Sequence, residues 1–129
     1  ILGICLGAQI MTASSEEGKM KGLGWIRAKT ISFDQNKFNE SKRIPHMGWE
    51  DLEISSRSPL FQDFEEHPRF YFLHSFHFHF ETNQTISGYA TYGYRFPAAF
   101  EHKNIFGVQF HPEKSHIFGM QLMKNFSKI

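Results

Sequence analysis

The first nine residues constrain the fold of this chain more than any other stretch. The apolar run Ile1–Ile4 leads into Cys5, which has a glycine two positions away on each side, and a helix-forming segment follows. This is the cysteine version of the G-x-S-x-G nucleophile elbow, a sharp turn between a strand and a helix. Such a turn strains the backbone, and side chains at Gly3 and Gly7 would collide. We therefore expect Cys5 at the end of a core strand and the N-terminus of a helix, where partial positive charge stabilises a thiolate.

A second motif, near the end of the chain, favours a catalytic cysteine over a merely buried one, which is the commoner fate of a lone cysteine. A strand-like run ends at His111, and Glu113 follows two positions later. Pro112 favours an extended segment, in which residues i and i+2 point the same way. Glu113 could then orient the His111 ring while its other nitrogen faces the thiol. These are the nucleophile, base and orienting group of a catalytic triad.

The two motifs, in this order, resemble those of class I (triad) glutamine amidotransferases. Within that class the chain looks like the glutaminase subunits of imidazole glycerol phosphate synthase. Five further segments carry the resemblance, at residues 14–18, 22–26, 45–49, 71–75 and 113–115. The resemblance implies an α/β fold, a flavodoxin-like sheet with a nucleophile elbow, and a catalytic triad of Cys5, His111 and Glu113.

The beginning of the chain predicts that more protein precedes it. The first residue is Ile1, inside a predicted core strand that needs neighbouring strands. The resemblance implies that the preceding part holds several strands and a glycine-containing loop. That loop would supply one amide of the oxyanion hole, and Leu6 the other. We therefore expect residues 1–129 to be the C-terminal portion of a single amidotransferase domain, with little glutaminase activity if the natural chain began at Ile1.

The resemblance also implies a set of substrate-binding residues. Gln9 would help to hold glutamine, although it could equally be a solvated helix residue. Glu17 would face the ammonium group of the substrate, although paired glutamates are usually only surface charge. The backbone of His74, Ser75 and Phe76 would clamp the α-carboxylate and amine. Phe76 stands where the family usually has Tyr, so only its backbone role is expected to survive.

A proline- and glycine-shaped segment at residues 45–49 is predicted to be a loop. The resemblance implies that Pro45, Met47 and Trp49 face the partner synthase subunit, which is a (β/α)8-barrel cyclase, and that Lys114 contacts the rim of that partner. Such residues are enriched at interfaces, but they could instead cover the edge of the core. Glu50 stands where the family usually has Asn, which puts the identity of the partner in question.

Sequence periodicity predicts the remaining elements. Helices are expected at residues 6–13 and 116–126, the second with an apolar stripe of Phe118, Leu122 and Phe126, and a short helix at residues 58–64. Residues 14–18 and 34–43 read as loop and turn. Strands are expected at 25–33, 52–54, 70–80, 85–92, 96–100 and in a segment ending at residue 111. His77 and His79 are expected to be exposed, and no metal site is predicted because His74 points the other way.

Composition excludes several classes of function. The length of 129 residues allows at most one domain, and a net charge of +1 without a basic cluster does not imply a nucleic acid partner. The single cysteine excludes an internal disulfide and points to a reducing compartment such as the cytoplasm. No run is long and apolar enough to span a bilayer. No cofactor is expected.

The function implied by the resemblance is hydrolysis of glutamine to glutamate and ammonia. The ammonia would pass to the cyclase, which makes imidazole glycerol phosphate and aminoimidazole carboxamide ribotide in histidine biosynthesis. Two alternatives stay open. One is a paralogous amidotransferase that supplies ammonia to a different synthase, such as one that aminates a surface sugar. The other is a non-enzymatic binding module.

Overall fold

Parallel pairing of the first strand with the last one organises the fold. The structure is a computed structural model that describes residues 1–64 and 67–129. Within these residues the strands are β1 Leu2–Ile4, β2 Ser14–Ser15, β3 Ala28–Ser32, β4 His46–Asp51, β5 Glu53–Ile54, β6 Arg69–His74, β7 Phe76–Phe80, β8 Ile86–Tyr92, β9 Tyr94–His102 and β10 Ile105–Val108. The α-helices are α1 Leu6–Gln9 and α2 His116–Phe126, and 3-10 turns cover Gln35–Lys37, Pro59–Phe61 and Pro112–Lys114.

The strands form three sheets. The largest has five strands in the order β1-β10-β9-β8-β5, and only its β1–β10 pair is parallel. A second sheet has the order β2-β3-β7, and a third pairs β4 with β6 in antiparallel register. Helix, parallel pairing and antiparallel strands together confirm the predicted α/β class.

Aromatic side chains fill the main core. Phe70 and Phe110 stack with ring centroids 4.0 Å apart, and both are fully buried. Leu122 of α2 is fully buried in the same cluster, with Phe118 and Phe126 packed against it, which confirms the predicted apolar stripe. Full burial of such a side chain contributes about 1.5–3 kcal/mol, so this cluster holds α2 against the strands.

Most predicted elements are present, but four predictions need correction. The loop expected at residues 14–18 begins with strand β2, which pairs in parallel with β3, and the strand expected at residues 70–80 is divided at Ser75 into β6 and β7, which belong to different sheets. Two further predictions are wrong. The helix expected at residues 6–13 ends at Gln9, because the Thr12 hydroxyl donates to the Gln9 carbonyl (2.8 Å) and the Ala13 amide donates to the Ala28 carbonyl (2.9 Å). The loop expected at residues 45–49 is largely strand β4. Its six residues pair with β6 in register from His46 opposite His74 to Asp51 opposite Arg69.

Neither α-helix of the described chain combines the length and apolarity needed to cross a bilayer.

Close packing makes the first glycine of the elbow indispensable. A Cβ added to Gly3 would lie 2.7 Å from the Cα of Ala8 and 2.8 Å from its nitrogen, both backbone atoms of α1. The expected collision is therefore confirmed at this position. A Cβ at Gly7 would meet nothing within 4 Å, so the same expectation is wrong there.

We predict that Gly3→Ala destabilises the protein and that Gly18→Ala does not. Gly18 is the matched control because a Cβ there would meet nothing within 4 Å. Overpacking against backbone that cannot move should lower the free energy of unfolding by about 1–3 kcal/mol. Urea unfolding of the two variants and the wild type measures the difference. Equal midpoints for the two variants would contradict the packing described for Gly3.

Candidate active site

Cys5 occupies a strained turn between β1 and α1. Its backbone angles are φ 48° and ψ −111°, a conformation that non-glycine residues rarely adopt. The Cys5 amide donates to the Val108 carbonyl at the end of β10 over 2.8 Å. The parallel strands thus fix the elbow from one side, and α1 starts immediately after it.

The thiol lies among polar groups yet is predominantly neutral. Its closest partners are the Nε2 of Gln109 at 3.6 Å and the carbonyl of Leu73 at 3.8 Å. Burial raises the pKa of the Cys5 thiol, and this outweighs the lowering effect of the Leu6 amide and of Gln109. The expected stabilisation of a thiolate by the first amide of α1 is therefore present, but desolvation of the thiol outweighs it.

His111 and Glu113 form a tight pair beside the elbow. The Nδ1 of His111 lies 2.6 Å from the Oε1 of Glu113, so this nitrogen donates to the carboxylate and Nε2 is left to act on other groups. The segment is not extended as predicted, because Pro112–Lys114 is a 3-10 turn. The carboxylate reaches the ring from that turn. In the described chain no hydrogen bond joins the ring to the Cys5 sulfur.

Backbone contacts hold His111 in place. Its amide donates to the Tyr71 carbonyl over 2.9 Å. The hydroxyl of Ser115 donates to the His111 carbonyl over 2.6 Å and accepts from the Tyr71 amide over 3.0 Å. Strand β6 therefore aligns both partners, since Leu73 of the same strand contacts the thiol.

Two buried amides lie beneath the cysteine. The Nε2 of Gln9 donates to the Oε1 of Gln109 and to the Phe76 carbonyl, each over 3.1 Å. Gln9 is thus not a solvated helix residue, and its amide group is committed to the protein. Gln109 has no signal in the sequence beyond its place before His111, and its contact with Cys5 was not predicted.

The two neighbouring glutamates differ in their environment. The carboxylate of Glu16 accepts from both the amide and the hydroxyl of Ser32, each over 2.8 Å. These bonds lower the pKa of Glu16. Glu17 is exposed, and within the described residues its carboxylate has no hydrogen bond or ion pair. Its charge contributes to raising the pKa of Cys5, so it lies within electrostatic reach of the sulfur.

The segment His74, Ser75 and Phe76 links the sheets of β6 and β7. His74 ends β6, Ser75 is half-buried, and Phe76 begins β7. The Nδ1 of His74 lies 2.7 Å from the Phe76 carbonyl. Leu6, expected to supply an oxyanion amide, has an exposed side chain, and its amide acts on the Cys5 sulfur.

Three of the four residues assigned to a partner interface are exposed, and the fourth, Trp49, is half-buried. Pro45 and Lys114 are exposed, and Met47 is 60% exposed. Trp49 stacks on the ring of His116 with centroids 5.5 Å apart. Lys114 lies over the Tyr71 ring, 6.0 Å from its centroid, and Tyr71 packs edge-on to Trp49. The strand β4 and the turn after His111 thus present their aromatic and basic residues together.

Three histidines are buried behind the site. Burial lowers the pKa of His46 to about 4, that of His74 to about 3, and that of His77 below its usual value. His77 was expected to be exposed; instead its Nε2 accepts from the Tyr94 hydroxyl over 2.7 Å, while His79 is exposed as expected. No group of three His, Cys, Asp or Glu residues in the described parts of the chain is arranged to hold a metal ion.

Comparison with known proteins yields one family. The family described as glutamine amidotransferase class-I matches residues 1–129. A protein of Methanococcus maripaludis named imidazole glycerol phosphate synthase subunit HisH 2 is 50% identical over 129 residues, which are 99% of this chain and 62% of that protein. The corresponding HisH subunit of Bdellovibrio bacteriovorus is 46% identical, over 100% of this chain and 63% of its own length. The chain thus spans less than two thirds of these relatives.

Two solved structures share the fold. A Thermoplasma acidophilum protein described as a GMP synthase subunit superimposes with a TM-score of 0.69 at 22% identity, covering 98% of this chain and 54% of its own. A glutamine amidotransferase from Thermotoga maritima has a TM-score of 0.60 at 22% identity, covering 98% and 46%. At this identity the likeness shows the fold alone.

We predict that alkylation of Cys5 by iodoacetamide, without substrate, accelerates with rising pH and still rises above pH ~8.5, the usual cysteine value. The reason is the raised pKa of the thiol. Gln109→Met removes the donor at 3.6 Å and should move the profile to higher pH, whereas Gln84→Met, at an exposed position, should not. A rate that reaches its plateau by pH ~7 would mean that the thiolate already predominates.

We also predict that the protein loses stability as the pH falls below about 6.5, the usual histidine value. Below that pH, His46, His74 and His77 become protonated in the unfolded state but stay neutral in the folded state, because their folded pKa values are lower. Each can therefore lower the free energy of unfolding by up to about 1.4 kcal/mol per pH unit. Urea unfolding at several pH values measures the slope. His77→Gln should reduce it, and His79→Gln should leave it unchanged. A slope of zero between pH ~7 and ~5 would contradict this prediction.

Proposed function

The chain belongs to the class I glutamine amidotransferase family, and from that premise we propose that it carries the triad of a glutaminase that supplies ammonia to a synthase partner. The observation that carries the proposal is a strained Cys5 at the end of β1 together with a His111–Glu113 pair that follows the parallel neighbour β10, with Glu113 close enough to raise the pKa of the thiol. A core cysteine needs neither the positive φ nor an imidazole held by a carboxylate after the adjacent strand. Both features serve a nucleophile.

The reaction begins with transfer of the Cys5 proton to Nε2 of His111. The sulfur attacks the side-chain amide carbon of glutamine, and the carbonyl oxygen takes the negative charge, which the Leu6 amide stabilises. His111 then donates its proton to the departing nitrogen, which leaves as ammonia. A thioester between Cys5 and the glutamyl group remains.

Water completes the cycle. His111 takes a proton from water as the oxygen attacks the thioester carbon, the bond to sulfur breaks, and glutamate leaves while Cys5 regains its proton. Glu113 accepts from Nδ1 throughout, so it keeps the ring in one orientation and favours its charged form. No metal ion is needed to activate the nucleophile in this scheme.

The substrate contacts follow from the charges near the elbow. The Glu17 carboxylate is free to bind the ammonium group of glutamine. The backbone of His74, Ser75 and Phe76 would hold the α-carboxylate and amine from the opposite side. Gln9 acts by holding the Phe76 carbonyl, a more indirect role than the one implied by the resemblance.

The partner is proposed to be the (β/α)8 cyclase subunit of imidazole glycerol phosphate synthase. Support comes from the relatives named HisH, from the exposed Pro45, Met47 and Lys114, and from the half-buried Trp49. Ammonia released into water would be protonated and lost, so direct transfer to a partner is chemically reasonable. A reducing compartment such as the cytoplasm would keep Cys5 a thiol.

A second candidate is an amidotransferase that serves a different synthase, for example in surface-sugar amination. The observation in its favour is Glu50, which follows the exposed segment and stands where the family usually has Asn. Because Glu50 lies on β4 with Met47 and Trp49, a change there bears on the choice of partner.

We predict that the intact protein hydrolyses glutamine and that a histidine-pathway cyclase with its ligand stimulates it. Cys5→Ala should reduce hydrolysis by about a thousandfold or more, because the nucleophile is lost, and His111→Gln should be similarly impaired. His79→Gln is the matched control and should hydrolyse glutamine like the wild type. The assay follows glutamate and ammonia released.

The outcomes separate the alternatives. Stimulation by the cyclase that disappears in Cys5→Ala supports the histidine pathway. Covalent labelling of Cys5 by a glutamine-analogue electrophile without stimulation points to a different synthase. Absence of both hydrolysis and labelling would refute the proposed catalysis and favour a binding module.

A further inference from the structure

Two buried histidines form a chain of hydrogen bonds whose direction can be deduced. Nδ1 of His74 lies 2.7 Å from the Phe76 carbonyl. A carbonyl only accepts, so Nδ1 of His74 carries the hydrogen. In a neutral ring the other nitrogen is then an acceptor, and it lies 2.9 Å from Nδ1 of His46. His46 must therefore donate from Nδ1, which leaves its own Nε2 without a hydrogen.

The Nε2 nitrogen of His46, at the end of this hydrogen-bond chain, lacks a hydrogen-bond donor in the described part of the protein. Nε2 of His46 is enclosed and, among residues 1–64 and 67–129, has no hydrogen-bond partner of good geometry. Oε1 of Glu50 lies 3.4 Å from it. A bare nitrogen and an ionised carboxylate are both acceptors and would repel one another. One proton between them removes the conflict.

The His46 ring cannot resolve the conflict by turning over. It is stacked between Phe72, with centroids 5.0 Å apart, and Tyr92, with centroids 3.9 Å apart. The His74 ring is similarly enclosed by Phe33 and Phe96, at 5.3 Å and 5.4 Å. With both rings fixed, the direction of the hydrogen bond between His46 and His74 changes only when protons move between their ring nitrogens.

The geometry points to Glu50 as a positioning residue for the glutamine-binding backbone: a proton shared between its carboxyl group and His46 directs the hydrogen of His74 onto the Phe76 carbonyl. The inference rests on the proposed function for its effect on glutamine. When that proton is lost, His46 donates from Nε2 to the carboxylate. His74 must then donate from Nε2 to His46, and its bare Nδ1 faces the Phe76 carbonyl.

Burial, more than the surrounding charges, favours a protonated Glu50. Burial raises the pKa of Glu50, and Asp51 raises it too, while Lys42 and Arg69 lower it. Lys42 also lowers the pKa of His46. His74 faces His46, His77 and His111, each of which disfavours a charge on it. Both rings therefore stay neutral, and the shared proton belongs to Glu50.

The consequence reaches the nucleophile. The Phe76 carbonyl also accepts from Gln9, Gln9 donates to Gln109, and Gln109 donates to the Cys5 sulfur. The Glu50 side chain faces His46, on the face of β4 opposite to Met47 and Trp49, and is 34% exposed, so the hydrogen-bond chain runs from the protein surface at β4 to the elbow. A partner that changes the surroundings of Glu50 would change the contact at Phe76.

The sign of the pH dependence follows directly. A carboxyl group with a raised pKa holds its proton at low pH and loses it as the pH rises. The contact between His74 and Phe76 is therefore present at low pH and lost at high pH. Glu50→Gln places an amide hydrogen where the shared proton lies, and it should preserve the contact at every pH.

The first test is independent of catalysis. Long-range proton–nitrogen-15 NMR of the histidine rings distinguishes hydrogen on Nδ1 from hydrogen on Nε2. We expect His74 to carry Nδ1–H at low pH in the wild type and to change to Nε2–H as the pH rises and Glu50 loses its proton, while Glu50→Gln keeps Nδ1–H throughout the titration. Glu53→Gln, which neutralises an exposed carboxylate paired with Arg95, should follow the wild type. Identical behaviour of the wild type and Glu50→Gln, or Nε2–H on His74 at low pH, would overturn the assignment.

The second test measures glutamine hydrolysis by the intact protein. The KM for glutamine of the wild type should rise with pH relative to Glu50→Gln, reaching a ratio of about fivefold or more, with a smaller effect on kcat. Glu50→Ala should show the high KM at all pH values, and rescue by Gln separates positioning from loss of folding. Equal KM profiles for the wild type and Glu50→Gln would overturn the positioning role. If no variant hydrolyses glutamine, the wild type included, the proposed function fails, and the NMR result alone decides the proton assignment.

Discussion

The parallel hydrogen bonding between β1 and β10 is the constraint on which the site depends. The register pairs Ile4 with Val108, and the next backbone bond runs from the Cys5 amide to the Val108 carbonyl. Residues 104 positions apart in sequence are thereby brought into contact at Cys5 and Gln109. Since parallel strands end at the same edge of a sheet, the elbow after β1 and the segment with His111 after β10 lie at the same edge.

Strain at Cys5 is maintained by packing on both sides of this pair. Gly3 and Gly107 lie opposite one another in the register. The missing side chain of Gly3 leaves room for the backbone of Ala8, and that of Gly107 leaves room for the Phe100 ring, which a Cβ would approach to 2.1 Å. The two glycines thus let helix α1 and the Phe100 ring pack closely against the same strand pair, and this packing supports the strained turn at Cys5.

How much could be predicted depends on whether local chemistry or tertiary contact decides. The glycine–cysteine spacing correctly predicted the elbow, and the apolar stripe correctly predicted helix α2, because both patterns are local in the sequence. Three features could not be predicted in this way, because each depends on tertiary contacts. The length of α1 and the strand at residues 46–51 depend on neighbouring strands, and the burial of His77 depends on its contact with Tyr94. The raised pKa of the Cys5 thiol could not be predicted either, because it results from burial, which the motif does not reveal.

The elbow and its surroundings together explain why the resting cysteine is neutral. Burial disfavours the thiolate, and the carboxylates of Glu113 and Glu17 add to the effect. Under the proposed function, the ammonium group of glutamine would neutralise Glu17, and a proton on His111 would offset Glu113. Both changes come with substrate and with the first proton transfer. The charge on sulfur would then become favourable only when an amide carbon is in place to receive it, which protects the thiol from the side reactions of a free thiolate.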